Sequence, residues 1–255
     1  MNLIATNRPI QTQNTSHRDF LDIKAIASAQ ENLLNQGYCV LPDLETNVET
    51  ILKQFGTLMP QHSGELVYSV RALPGFDKFS DSKSQNRLKP HTDGSDCNRP
   101  PRLLALYGIQ PACCGGGYTQ IVDILPFIQS LDEKTQQQLK TRVYTFTSKK
   151  GLHASRSHLS YTPLLSQQSD RNFIFRFSEN LLLYGDYSPT IDNLDTQADS
   201  WTKQICKDVV SFFQKECISL LVERNSLLII DNWRMLHSRT QYRDPHRHLL
   251  RYWLS

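Results

Sequence analysis

Apolar residues recur at helical spacing near the N-terminus and at strand-like spacing through much of the rest of the chain. In DIKAIASAQENLLNQG, Ile23, Ile26, Ala27, Leu33 and Leu34 share one face and Gly37 ends the run, which predicts a helix. YCVLPD predicts a short strand. TNVETILKQFG, with Val48, Ile51, Leu52 and Phe55 on one side, predicts a second helix. ELVYSVRAL, RLLALYGIQP and YTQIVDI then have the content of strands. LPFIQSLDEKTQQQLKTR predicts a helix, and VYTFTS and NFIFRFS predict strands on either side of a polar, mobile connection, KKGLHASRSHLSYTPLLSQQSDR. DTQADSWTKQICKDVVSFFQKE is the most amphipathic stretch, with Trp201, Ile205, Val209, Phe212 and Phe213 in helical phase. The chain closes on two strands, SLLIIDN and RHLLRYWLS.

Two polar segments interrupt this pattern. Residues 1–20 read as a loose arm or lid. PGFDKFSDSKSQNRLKPHTDGSDCNRPP reads as a long loop, and loops of that length in compact domains are functional or disordered. There is no repeat and no linker between composition regimes. The expected organisation is therefore one domain over residues 1–255, mixed α/β but mainly β, with helices packed outside a strand-built core.

Composition narrows the function classes. Of 255 residues, 39% are hydrophobic, enough for one sizeable core. The formal net charge of +3 is too small for a dedicated nucleic-acid binder. No run approaches the ~20 apolar residues of a membrane span, and the N-terminus lacks the apolar core of a secretory signal. Six cysteines without a C-x-x-C pair read as free structural thiols. The expectation is a cytoplasmic protein acting on a small molecule, with no nucleic-acid or membrane partner.

Candidate chemistry begins at KPHTDGSD. His91 and Asp93 share a face if the backbone there is extended. The motif is either a polar turn or two of three protein ligands to a metal. SLLIIDNWRMLHSRT supplies a third donor, His237. Two imidazoles and one carboxylate are the set that holds Fe(II) with open positions. DPHRHLLRYWLS places Arg247 and Arg251 on one face of the last strand, among core-like residues. Either they are surface charge, or they are buried and need an anion, for which a bound dicarboxylate is suited. In CCGGGYTQIVDI, Gly115, Gly116 and Gly117 permit close backbone approach, and Thr119 offers a hydroxyl to the same anion.

The order H-x-D, G-G-x-Y-T, D-N-x-R-x-L-H and R-x-x-x-R resembles the Fe(II)/2-oxoglutarate-dependent oxygenases of the taurine dioxygenase and clavaminate synthase type. The likeness is strong over residues 89–123 and 224–254 and vague over 1–60 and 140–200. It implies a double-stranded β-helix, a cupin-like jelly roll with flanking helices. It implies iron on His91, Asp93 and His237. Thr119 and Arg247 would hold the distal carboxylate of 2-oxoglutarate, and Arg251 would stand near the co-substrate or a substrate anion. The implied co-substrates are 2-oxoglutarate and O2, and the implied reaction is oxidation of an unactivated C–H bond. Because Asp93 is present, hydroxylation is favoured over halogenation. Charged residues that could face the pocket are Glu65, Arg71, Arg102, Arg176 and Arg251; of these Glu65 and Arg71 could hold an amine and a carboxylate, which would suit an amino acid or related small polar metabolite. The competing reading is a non-catalytic or zinc-dependent cupin-like metal-binding protein; it gives Thr119, Arg247 and Arg251 no purpose.

Overall fold

A computed structural model describes residues 23–44, 47–113, 115–147, 159–169, 172–191, 196 and 198–255. Its first elements are α1 (Ile23–Gln36), β1 (Tyr38–Leu41), α2 (Val48–Leu52), β2 (Leu58–Met59), β3 (Val67–Arg71), β4 (Leu88–His91) and β5 (Leu103–Gln110). There follow β6 (Thr119–Asp123), α3 (Leu125–Ser130), α4 (Glu133–Thr141), β7 (Val143–Thr147), β8 (Leu159–Pro163), β9 (Leu165–Ser169) and β10 (Asn172–Phe175). The last are α5 (Glu179–Tyr184), α6 (Ser200–Glu216), β11 (Ile218–Leu220), β12 (Leu227–Asp231), β13 (Met235–Arg239) and β14 (His248–Leu254).

The strands form a six-stranded antiparallel sheet and a four-stranded one. The larger has the order β1-β12-β5-β14-β2, with β3 also paired to β14; the smaller has the order β11-β6-β13-β4. Two further pairs, β9–β10 and β7–β8, lie outside them. Side chains alternate along each strand, so β12 and β5 contribute to two cores at once. Leu104, Leu106, Leu228, Ile230, Leu249 and Trp253 of the large sheet pack with Ile121 and Met235 of the small one. Leu103, Ala105, Leu227, Ile229 and Leu254 point the other way, against Ala29 of α1 and Ile51 and Leu52 of α2. The outer side of the small sheet, through Val122 and Leu236, packs on α3 to α6 and β10. Burial on both faces explains why SLLIIDN is a continuous apolar run and not an alternating one.

That alternation also assigns the polar positions. Thr119 shares its face with Ile121, His237 and Arg239 share theirs with Met235, and Arg251 shares its face with Leu249 and Trp253. All of these positions are directed to the space between the sheets.

Three expectations need revision. The single helix over LPFIQSLDEKTQQQLKTR is two, because Leu131 is extended (ψ 149°) and Asp132 caps a new start by accepting from Thr135 N at 2.9 Å. The polar connection after VYTFTS is not all loop: LSYTP pairs with β7 and LSQQS with β10. Its residues 148–158 lie outside the described residues, as does the arm expected at 1–20. MLHSR, read only as the residues around a histidine, is a fully buried strand between β6 and β4.

Candidate active site

The pairing of β13 with β4 sets His237 directly opposite His91. Their ring centroids are 4.2 Å apart, inclined at 49°. His91 is the last residue of β4, and Asp93 lies in the turn that follows. The turn is fixed locally: Gly94 has φ +67°, and a Cβ there would come within 2.8 Å of Pro101 Cδ. Cys97 N donates to Gly94 O at 2.9 Å. Asn232, at the end of β12, clasps the turn from the other sheet. Its Oδ1 accepts from Asp93 N at 2.8 Å, and its Nδ2 donates to Asp93 O and to Pro101 O, each at 3.0 Å. KPHTDGSD, expected within a long loop, thus ends a short strand, β4, and runs into a polar turn, and the turn is what carries the carboxylate to the imidazoles.

Asp93 Oδ1 stands 3.5 Å from Nε2 of His91 and 3.5 Å from Nε2 of His237. Its Oδ2 accepts from Trp253 Nε1 at 2.8 Å and lies 3.1 Å from Arg251 Nη1. His91 Nδ1 is 2.8 Å from the carbonyl of Lys89, which can only accept, so Nδ1 carries a proton and Nε2 is the nitrogen turned toward Asp93. His237 Nδ1 is buried without a hydrogen bond among the described residues. Burial first, and the neighbouring His91 second, pull the His237 pKa down to about 4. Burial alone would raise the Asp93 carboxyl, but Arg251 and then the two imidazoles outweigh it and hold it well below its usual range.

The donor atoms therefore lie within 4.8 Å of one another, with His237 neutral and Asp93 charged at neutral pH. Metal–ligand bonds of ~2.1 Å at near-right angles would separate the donors by ~3 Å, so this set fits a single ion with small inward movement. Two nitrogens and one oxygen leave coordination positions open, the arrangement of a non-haem Fe(II) site.

A cavity of about 360 Å³ borders this cluster, large enough for a small metabolite. His91, Asp93, Arg251 and Trp253 line it on one side, and Asp81, Asn180, Tyr187 and Ser188 are among its other lining residues. Arg239 sits fully behind it. Its guanidinium donates to the carbonyls of Ser82 (3.2 Å), Ser84 (2.7 Å) and Asn86, tying that loop to β13.

The two arginines expected on one face of the last strand part company: Arg251 is on β14, whereas Arg247 lies in the turn segment just before it. Arg251 already has its anion: it contacts Asp93, donates through Nε to Gln61 Oε1 at 2.8 Å, and lies over the Tyr68 ring. Asp93 reaches it from a segment remote in sequence, so it does not call for a bound anion. Arg247 does call for one. It is 3% exposed, its Nε donates to Gly117 O at 3.2 Å, it lies over the Tyr242 ring, and its Nη1 is buried without a hydrogen-bond partner among the described residues. Asp244 accepts instead from the backbone N–H groups of Cys113 and His246. Gly117 must be glycine: φ is +74°, and a Cβ would meet Arg247 Nε at 2.8 Å. Thr119 is buried on β6, paired with Arg239.

The candidate substrate residues are not gathered at the cavity. Glu65 and Arg71 are exposed and do not line it. Arg176 is buried, but its Nη2 donates to Asn98 O at 2.9 Å and it too is absent from the lining. Arg102 pairs with Asp231 at 2.7 Å and lies over Trp233. Trp253, Asn232 and Arg239 went unrecognised as site residues. Strand parity from Arg251 would have found Trp253; nothing local marks the other two.

A family model described as taurine catabolism dioxygenase TauD, TfdA family matches residues 6–253. A search of curated proteins by sequence found no match. Among solved structures, an asparagine oxygenase in complex with Fe(II), 2S,3S-3-hydroxyasparagine and succinate superposes with a TM-score of 0.69 at 14% identity, over 91% of this chain and 79% of that one. The non-haem iron oxygenase OrfP in complex with Fe and alpha-ketoglutaric acid superposes with a TM-score of 0.63 at 14% identity, over 91% and 80% of the two chains. These likenesses identify the fold as that of a double-stranded β-helix oxygenase.

Proposed function

The chain belongs to the taurine catabolism dioxygenase TauD, TfdA family of Fe(II)/2-oxoglutarate-dependent oxygenases, and from that premise we propose that it holds iron on His91, Asp93 and His237 and hydroxylates a small polar metabolite, with an amino acid the best-suited class. The observation that carries the site is the shared approach of both imidazole Nε2 atoms to Asp93 Oδ1, each at 3.5 Å, beside a cavity. When bound, iron with 2-oxoglutarate and O2 supplies the oxidising power for a C–H bond.

The chain's own residues do the positioning. Lys89 O fixes the His91 tautomer, and Trp253 and Arg251 hold Asp93 Oδ2 so that Oδ1 is presented to the iron. Arg247 is the best receiver of the distal carboxylate of 2-oxoglutarate, since its buried Nη1 lacks a partner among the described residues, and Thr119 is buried on the inward face of β6. The cavity presents hydroxyls and an amide, from Ser80, Ser82, Ser188 and Asn180, together with Asp81. With Lys89 and Arg251 also in the lining, both signs of charge face the cavity, which favours a polar substrate over an apolar one. The oxygenases with the same fold that are bound to 3-hydroxyasparagine and to hydroxy-arginine support the amino-acid class.

Anaerobic addition of Fe(II) and 2-oxoglutarate should produce the weak visible charge-transfer band of a chelated complex, and His91→Ala should lose it. A wild-type protein that binds both without the band would refute the assignment. Mass spectrometry of amino acids incubated with the aerobic enzyme should show the gain of one oxygen.

A further inference from the structure

A second group of metal-type donors lies outside the cluster described above, and one of them, His62, lines the cavity. His62 Nε2 is 3.6 Å from Asp96 Oδ1, nearly the same nitrogen–oxygen separation as in the first cluster. Cys97 Sγ joins them, with all three donor atoms within 4.8 Å of one another. The arrangement is braced from several sides. The hydrogen bond from Cys97 N to Gly94 O turns the chain so that Asp96 and Cys97 face back. Next to His62, Gln61 is tied down by its Nε2 bond to Arg251 O at 2.8 Å. The His62 ring stands edge-on to Trp253, 5.1 Å away. Tyr187 OH donates to Asp96 Oδ1 at 3.0 Å, the kind of outer hydrogen bond that orients a ligating carboxylate.

An independent observation points to a ligand. Asp96 is 1% exposed, and its Oδ2 is buried with no hydrogen-bond partner among the described residues. A buried carboxylate oxygen left this way is costly, and a cation is the usual remedy. Tyr187 does not neutralise the group, because burial, and then Asp96 itself, push its phenol well above the ordinary range, so it stays a donor. Burial, and then Asp96 and Asp93, raise the Cys97 thiol to about 12, so in the absence of an ion the sulfur is protonated. The nearby Arg176 is engaged with the carbonyl of Asn98.

We propose that His62, Asp96 and Cys97 form a second divalent-metal site, suited to Zn2+, with its remaining position on the side of the cavity that His62 lines. Binding replaces the Cys97 S–H bond with a sulfur–metal bond and releases that proton to solvent. Thiolate and carboxylate together then neutralise the ion's charge. The donor sets direct the two sites to different metals: the first has no sulfur and suits Fe(II), whereas a thiolate favours Zn2+. A bound ion would put a Lewis-acidic anchor for an anionic or sulfur-containing substrate group in the cavity wall.

The test uses the full chain, stripped of metal and titrated with Co2+ under nitrogen. Wild type should take up two equivalents and develop the near-ultraviolet thiolate-to-cobalt charge-transfer band, which Zn2+ should bleach. Cys97→Ser should take up one equivalent and show no band. His91→Ala should also take up one equivalent but retain the band, which separates this site from the first. Should Cys97→Ser fold poorly, His62→Ala, at a partly exposed position, should lose the band at the cobalt concentrations that saturate wild type. A wild-type protein without the band, or a band that survives in Cys97→Ser, would overturn the second site and leave the first untouched.

Discussion

At Asp93 the two carboxylate oxygens have different partners. Oδ2 is held by Trp253 and Arg251, and Oδ1 faces the two imidazoles. Removing the indole donor while keeping the ring, in Trp253→Phe, should free the carboxylate to rotate. Iron affinity should fall ~10-fold, measured by competition with a chelator, and unchanged affinity would show that the bond does not orient the ligand. Arg247 is the complementary case, a buried guanidinium with an unfilled donor. If it receives the distal carboxylate, Arg247→Met should raise the KM for 2-oxoglutarate roughly a hundredfold, about 2.7 kcal/mol, with iron affinity unchanged. An equal loss of iron binding would point to a structural role. At this scale the sequence was informative about which residues carry chemistry, because His, Asp and Arg amid apolar runs are rare enough to be noticed. It was uninformative about partners: Arg251 answers to Asp93, some 160 positions away, and no local pattern encodes that.

Among the elements, β13 and the loop before β4 form one mechanical unit. The buried Arg239 guanidinium donates to the loop carbonyls of Ser82, Ser84 and Asn86, and the same loop supplies Ser80, Asp81 and Ser82 to the cavity. A lysine has the charge but not the fork, so Arg239→Lys should loosen the loop and raise the substrate KM ~10-fold. The KM for 2-oxoglutarate should stay close to wild type, and steady-state kinetics on each substrate would distinguish the two. Asn232 performs a similar task between sheets. Its replacement by alanine strands Asp93 N and two carbonyls, which should cost about 2–4 kcal/mol in urea unfolding; a loss below ~1 kcal/mol would mean water replaces the side chain. The strands with continuous apolar content, RLLALYGIQP and SLLIIDN, were readable because they are covered on both faces. MLHSR and LSQQS were not, since their strand character comes from pairing and not from β-branched content.

For the whole molecule, the layer between the sheets is both core and foundation of the site. Ile230, Leu104 and Trp253 pack there with Ile121 and Met235, directly alongside the inward His237 and Arg251. Ile230→Ala should therefore lower unfolding free energy by ~3 kcal/mol, while iron affinity, measured well below the melting temperature, stays near wild type because no donor moves on the opposite strand. No helix among the described residues is long and apolar enough to cross a membrane. By itself the sequence determined the inventory: alternating and continuous apolar runs specify strands and their buried faces, polar residues beside the last of those runs single out His237, Arg247 and Arg251, and the spacing within a long polar segment singles out His91 and Asp93. Only the tertiary structure decided the assignments. Cross-strand register set His91 against His237, a turn rather than a strand delivered Asp93, and Asp93 took Arg251 while Arg247 remained available for an external anion. The physical reason is that hydrophobic periodicity is local and survives in one dimension, whereas the pairing of charges depends on distances that exist only after the sheets have closed.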